Sequence, residues 1–366
     1  MNYEKKRLVI EWDLTYQCNL NCLHCSAIRK RNEKGNLSIK DLTKVMKKFS
    51  SYFCILHINP SAGESTTRSD FVEIYNLFAH AINTVRMTTN GIILSKIIKK
   101  MYLKNLSLMT ISIDGSEMIN NITRGDNAYK KACKSLKALH EKKENENLSF
   151  NTQINYVLHR LNSDSLKEMA VLLDEYDVDV INVIKVDLDT GNAKTHADTL
   201  YLSYEDCIDS IGELLQKLKM INKSREKIGK KPILLRPELF TAKWLYLLAK
   251  TYGLKYVIFE KRHSCHVLTQ NYLYLNPIGN AFPCLFFTQK RLQEEMIKYY
   301  GSVTTPNIVE NTVEEILESS YFTNARNLLK EFLNFDNLPC KSCNFLNTCA
   351  ICPIYAQLWG VKNDCF

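Results

Sequence analysis

Cys18-Asn19-Leu20-Asn21-Cys22-Leu23-His24-Cys25 places three thiols in a CxxxCxxC pattern directly after the apolar run Leu8–Trp12. At the end of a strand such a loop lets three thiolates converge on one point. Three thiolates are one short of saturating a [4Fe–4S] cube, which leaves one iron open to another ligand. A zinc site with His24 as fourth ligand is the alternative, although zinc sites usually pair their ligands as CxxC and this triplet has no second pair. A second set of seven cysteines occupies residues 265–365: Cys265, Cys284 within Gly279-x4-Cys284, Cys340-x2-Cys343, Cys349-x2-Cys352, and Cys365. Alone, its CxxC…CxxC end is also zinc-ribbon spacing. Cys54, Cys133 and Cys207 complete the 13 cysteines. Cys54 alternates with Leu56 and Ile58, and Cys133 sits in a helical pattern with Ala132 and Leu136, so they read as small buried hydrophobes. A hydrogen-donating catalytic thiol among them is the competing reading.

The elements that must position these thiols alternate along the chain. Leu8–Trp12, Phe53–Ile58, Thr84–Thr88, Leu106–Ile113, Phe150–Val157 and Val178–Val186 read as strands, with helical patterns between them. Helix starts are signalled by Ser38 with Asp41 and by Ser163-Asp164. Strands alternating with helices imply parallel βαβ units, and six of them suit an open barrel. A Lys-rich amphipathic stretch, Tyr204–Lys230, then Lys231-Pro232 and Arg236-Pro237, marks a boundary. Beyond residue 260 the pattern becomes a β-hairpin, Asn271–Leu275 and Ala281–Phe287 around Asn276-Pro277-Ile278-Gly279-Asn280, and a capped helix, Val313–Ser319, with Thr312 and Glu315 as the cap. Five cysteines in the 26 residues from Cys340 to Cys365 follow, and metal clusters would cross-link a region too small for its own core.

With 366 residues, 45% hydrophobic and 24% charged, the chain is globular, of one large or two ordinary domains. No run reaches the roughly 18 apolar residues of a membrane span, and Met1–Arg7 leads into a strand instead of a signal-peptide core, so a cytoplasmic protein with no membrane contact is expected. The net charge of +9 is scattered through Lys-rich helices, which argues against nucleic acid as a partner. In a reducing compartment, clustered cysteines are metal ligands or catalytic groups more often than disulfides.

The CxxxCxxC loop after the first strand resembles that of the radical S-adenosylmethionine (SAM) superfamily, whose fold is a partial (β/α)6, TIM-like barrel. The resemblance implies that Cys18, Cys22 and Cys25 hold a [4Fe–4S] cluster whose open iron binds SAM, which is cleaved to a 5′-deoxyadenosyl radical. His24, before the last cysteine, would lie near the adenine. Ser61-Ala62-Gly63-Glu64-Ser65 stands where the family has Gly-Gly-Glu-Pro, so Glu64 would receive the methionine ammonium beside Gly63. Thr89-Asn90-Gly91, Ser112-Ile113-Asp114-Gly115 and Arg124-Gly125 match in order, making Asn90, Ser112, Asp114 and Arg124 candidate SAM contacts. A plain turn is the other reading of Asp114-Gly115.

The second set resembles the SPASM extension, a small irregular iron–sulfur domain holding two auxiliary [4Fe–4S] clusters. Cys340, Cys343, Cys349 and Cys365 would ligate the outer one, and Cys265, Cys284 and Cys352 the inner one; Ala350-Ile351 is one residue short of the family spacing. Asn271 stands at a further inner-cluster cysteine of sulfatase-maturing enzymes, leaving an open iron or a ligand such as His263, His266 or Cys207. The expected organisation is a barrel over 1–235, a bridge over 236–262 and the SPASM domain over 263–366.

SPASM enzymes mostly modify peptides, so oxidative cross-linking of a ribosomally made peptide is the leading reading. Modification of a small molecule or haem-type precursor is the second, and a non-enzymatic Fe–S carrier or zinc-binding interaction protein the third. Sulfatase maturation is disfavoured because Leu285 replaces the Asp that follows Cys284's counterpart. No leader-binding module fits before residue 8, so a separate leader-peptide-binding protein is an expected partner, with a flavodoxin- or ferredoxin-type electron donor. His57 reads as a core histidine or a lumen group, and Trp244, Tyr246 and Leu247 as packing at the inter-domain seam.

Overall fold

Six short β-branched runs become six parallel strands: β1 (Arg7–Trp12), β2 (Phe53–Ile58), β3 (Thr84–Thr89), β4 (Leu106–Ser112), β5 (Asn151–Leu158) and β6 (Val180–Lys185). The computed structural model describes residues 5–27, 33, 35–238, 242–258, 265–302, 304–334, 342, 352 and 354. Helices lie between successive strands, with starts where the sequence signals them: Ser38 accepts from the Asp41 N–H, and Thr312 forms a capping box with Glu315.

Three more strands join the sheet. β7 (Leu234–Glu238) pairs parallel with β6, β8 (Tyr272–Leu275) pairs parallel with β1, and β9 (Ala281–Phe282) closes the hairpin antiparallel to β8. The order is β7-β6-β5-β4-β3-β2-β1-β8-β9. The boundary expected between residues 235 and 236 therefore falls inside a strand. Pro237 is tolerated there because β7 ends the sheet and an edge strand spares N–H groups. The hairpin extends the barrel sheet because β8 satisfies the free edge of β1 and buries its four residues, Tyr272–Leu275.

Alternation along the strands separates two faces. Leu8, Ile10 and Trp12 of β1, with Leu56, Val85, Met109, Ile154 and Ile181, are fully buried beneath the helices. The inward face is polar: Gln153 donates to Asn155 at 3.0 Å, and Asn182 donates to Glu238 at 2.6 Å. His57 also faces inward, its Nε2 2.9 Å from Thr88 Oγ1, so it is both a lumen group and a satisfied one. Closed eight-stranded barrels fill this space with branched aliphatics. Here the open barrel keeps a polar lumen.

Cys54 and Cys207 are buried and Cys133 is partly buried, each as expected of a small hydrophobe. Trp244 stacks on Tyr204 at 5.2 Å, joining the helix Ala242–Tyr252 to the long helix Tyr204–Lys227. Leu247 is partly buried and Tyr246 is exposed. No helix among the described residues is long and apolar enough to cross a membrane.

Candidate active site

Loops at the C-terminal ends of the strands surround a cavity of 540 Å³. Cys18, Cys22, Cys25 and Glu64 line it, with Gly63, Asn90, Ser112, Arg124 and His24 also at its wall. Ala62 and the 61–64 turn approach the cysteine loop closely, because Glu64 N–H donates to Gln17 O at 2.8 Å. Gly63 has φ +69°, and a Cβ on it would meet Thr15 O at 2.0 Å, so only glycine fits.

Glu64 is buried, and its carboxylate is held by its neighbours. Oε1 accepts from Thr66 Oγ1 at 2.6 Å and Thr89 Oγ1 at 2.8 Å, and Oε2 accepts from the Asn90 N–H at 2.7 Å. Burial raises its pKa and these hydrogen bonds oppose the rise. A carboxylate fixed in this way at a cavity wall is suited to a cation.

Other candidates also make contacts within the protein. The Asn90 side chain donates to Asn19 Oδ1 at 2.8 Å and lies 3.9 Å from Cys18 Sγ. Asp114 is fully buried and absent from the cavity wall. Its Oδ2 is 2.6 Å from Arg124 Nε, and its Oδ1 accepts from the Val157 N–H at 2.8 Å. Burial works to raise its pKa, but the Arg124 guanidinium outweighs it and holds the carboxyl below the usual range. Asp114 is thus placed as a positioning residue for Arg124, whose charge faces Cys22 and Cys25. His24 Nε2 is 3.6 Å from Asp114 Oδ2, near enough for an ion pair, but burial pushes the imidazole pKa down to about 3 and leaves it neutral. His24 stacks on His159 at 5.9 Å.

The sequence reading missed the clamp on this loop. Asn192, after β6, donates from its side chain to Cys22 O and from its backbone to Cys25 O, both at 2.9 Å. Gly191 has φ +59°, and its Cβ position lies 2.2 Å from Cys25 O. A glycine after a strand's C-terminal end, Asp189-Thr190-Gly191, was the available signal. Phe286 and Gln289, just after Cys284, also reach the cavity.

Cys284 faces Cys352 and Cys265 electrostatically, so the three candidate inner-cluster thiols are neighbours. Asn271 accepts from Thr269 at 2.5 Å. Cys340, Cys343, Cys349, Cys365 and His263 lie outside the described residues.

Residues 12–173 match the family model of the radical SAM superfamily, and residues 265–344 match that of the SPASM iron–sulfur cluster-binding domain. The chain carries a radical SAM domain followed by a SPASM domain. Among curated relatives of this radical SAM protein, mycofactocin maturase MftC of Mycolicibacterium smegmatis is 31% identical over 46% of the chain and 42% of its own length. The chain thus spans less than half of the first curated relatives it matches. AdoMet-dependent heme synthase of Methanosarcina barkeri is 23% identical over 94% of the chain and 90% of that protein. The structure of Streptococcus suis SuiB bound to S-adenosylmethionine superimposes with TM-score 0.65 at 16% identity, covering 98% of this chain and 76% of SuiB, a likeness of fold.

These domains imply SAM and iron–sulfur clusters, and the residues present fit both. Burial pushes the Cys22 thiol up to about 12, which disfavours a free thiolate, whereas coordination to a metal deprotonates a thiol outright. Arg124 opposes the rise, as a site for anionic sulfur requires. Glu64 at the wall of the same cavity offers a carboxylate to an ammonium.

Proposed function

We propose that this protein is a radical SAM enzyme that carries out an oxidative modification of a ribosomally made peptide, closing a thioether or carbon–carbon cross-link. The observation that carries this reading is one cavity shared by the thiols of Cys18, Cys22 and Cys25 and the buried carboxylate of Glu64. Bound SAM, reduced by one electron, supplies a 5′-deoxyadenosyl radical that abstracts hydrogen. The chain's own part is to hold the methionine ammonium at Glu64, to line the cavity beside the triplet with Ser112 and Arg124, and to cover the reaction space with Phe286 and Gln289 from the SPASM side. Cys265, Cys284 and Cys352, with Cys340, Cys343, Cys349 and Cys365, would hold two auxiliary [4Fe–4S] clusters, making three in all.

A peptide substrate is supported by the match to mycofactocin maturase and by the fold shared with SuiB, also solved bound to precursor peptide SuiA. A separate leader-peptide-binding protein and a flavodoxin- or ferredoxin-type donor complete this reading, in the cytoplasm. Modification of a haem-type precursor is the second reading, favoured by the end-to-end match to AdoMet-dependent heme synthase.

The test is anaerobic reconstitution followed by SAM and dithionite. About 12 irons per chain and formation of 5′-deoxyadenosine are expected. Replacing Cys18, Cys22 and Cys25 together by Ala should remove about a third of the iron and all SAM cleavage. Bound zinc without absorbance near 400 nm sinks the reading. Stimulation by a short Cys- or aromatic-rich peptide encoded beside the gene, against stimulation by a porphyrin precursor, separates the two substrate classes.

A further inference from the structure

The SAM site leaves unused a second carboxylate on β1. Glu11 lies between Ile10 and Trp12, which are fully buried on the outer face, and its own side chain keeps 27% exposure toward the lumen. Tyr272 of β8 donates its hydroxyl to Glu11 Oε2. The same phenol interacts electrostatically with Cys284, and its ring stacks at 5.2 Å on His266, the neighbour of Cys265. One tyrosine therefore links a lumen carboxylate to the inner auxiliary thiols. The strand pairing that joins the SPASM hairpin to the barrel places it there.

The titratable and charged groups facing Glu11 are Asp13 just after β1, His57 on β2 with Nδ1 4.0 Å from Oε1, Arg86 on β3, Glu238 on β7 and Tyr272 on β8. Burial dominates, Tyr272 opposes it, Asp13 and Glu238 add to it, and the carboxyl pKa rises to about 7. His57 stays neutral, since burial and Arg86 push its pKa down to about 4. Glu11 is thus a lumen carboxyl able to exchange a proton at neutral pH.

We propose that Glu11 is the proton partner of the inner auxiliary cluster, so that an electron arriving at the Cys265/Cys284/Cys352 site is accompanied by a proton on the Glu11 carboxylate. This rests on the reading of those cysteines as [4Fe–4S] ligands. Joining a substrate carbon to a neighbouring X–H group breaks a C–H and an X–H bond, forms C–X, and releases one hydrogen atom, one proton and one electron. The hydrogen atom leaves in 5′-deoxyadenosine, the electron goes to the auxiliary [4Fe–4S] cluster and the proton to Glu11. Leu285 offers no base in that place.

An added electron favours the neutral carboxyl and raises the pKa of Glu11. From near pH 7 upward the cluster's midpoint potential must therefore fall with pH, by at most ~59 mV per unit for a one-electron couple. The experiment is a redox titration of the reconstituted Cys18/Cys22/Cys25→Ala full-length variant, followed by electron paramagnetic resonance from about pH 6 to about pH 9. The expected result is a sloping potential for one auxiliary signal. Adding Glu11→Gln should make it flat at unchanged iron content, and Tyr272→Phe should move the onset of the slope to higher pH, because the lost hydrogen bond had lowered the carboxyl pKa. A flat potential in the parent variant, or the parent's slope retained in Glu11→Gln, overturns the proposal while leaving the cluster assignment intact. Absence of any auxiliary signal overturns both.

Discussion

Glu64 is the residue whose removal isolates one interaction in the proposed SAM site. Its carboxylate is already positioned by Thr66, Thr89 and Asn90, so little ordering is left to be done when a cation arrives. Glu64→Ala should weaken SAM binding by roughly 1.5–3 kcal/mol, or one to two decades, at a charge-assisted hydrogen bond. Equal rates of 5′-deoxyadenosine formation in variant and parent at limiting SAM would contradict the assignment. At this scale the sequence was informative about residue types and less so about roles. Gly63 and Glu64 were legible through the resemblance of their turn to the family's Gly-Gly-Glu-Pro, and both line the cavity. Asn90 and Asp114 were read as ligand contacts; Asn90 lines the cavity while its side chain also donates to Asn19, and Asp114 lies outside the cavity wall, paired with Arg124. Residues that support a site follow the same strand-end pattern as those that line it, and only packing distinguishes them.

The elements show where periodicity sufficed and where it failed. β2 was readable to the residue because its apolar run is bounded by Ser50-Ser51 before it and Asn59-Pro60 after it. β7 was not, since Arg236 and Glu238 alternate with Leu235 and Pro237 and a polar inward face removes the hydrophobic signal. The hairpin was legible as a hairpin, but its pairing with β1 depends on contacts more than 200 residues apart, for which one sequence offers no local sign. That pairing makes barrel and hairpin one cooperative unit. Trp12 Nε1–H donates to Asn276 O at 3.2 Å across the junction, so tryptophan fluorescence reports on both. Leu273 is fully buried in β8, and Leu273→Ala should cost about 2–5 kcal/mol as a core truncation. Urea unfolding of this variant should show circular dichroism and fluorescence midpoints falling together. A fluorescence transition left at the parent's midpoint would mean that the hairpin unfolds as a separate module.

For the whole molecule, the charge is the property that a redox partner senses first. Excess Lys and Arg give +9 at neutral pH, and the proposed chemistry, begun by one-electron reduction, would need a donor to dock repeatedly and leave. Many of these charges are exposed lysines with single carboxylate partners, such as Lys290 with Glu294 and Lys298 with Glu295, and pairs of this kind contribute little to stability. Their larger effect is at a distance, where like charges sum and steer an oppositely charged protein toward the surface. A small acidic flavodoxin or ferredoxin should therefore reduce the enzyme fastest at low salt. The rate should fall as ionic strength rises toward about 0.15 M, where the screening length shrinks to about 8 Å. The effect should appear in the association rate and leave turnover with dithionite, a small-molecule reductant, much less changed. Stopped-flow reduction over a salt series separates the two, and an association rate indifferent to ionic strength would rule out an acidic protein donor steered by this surface.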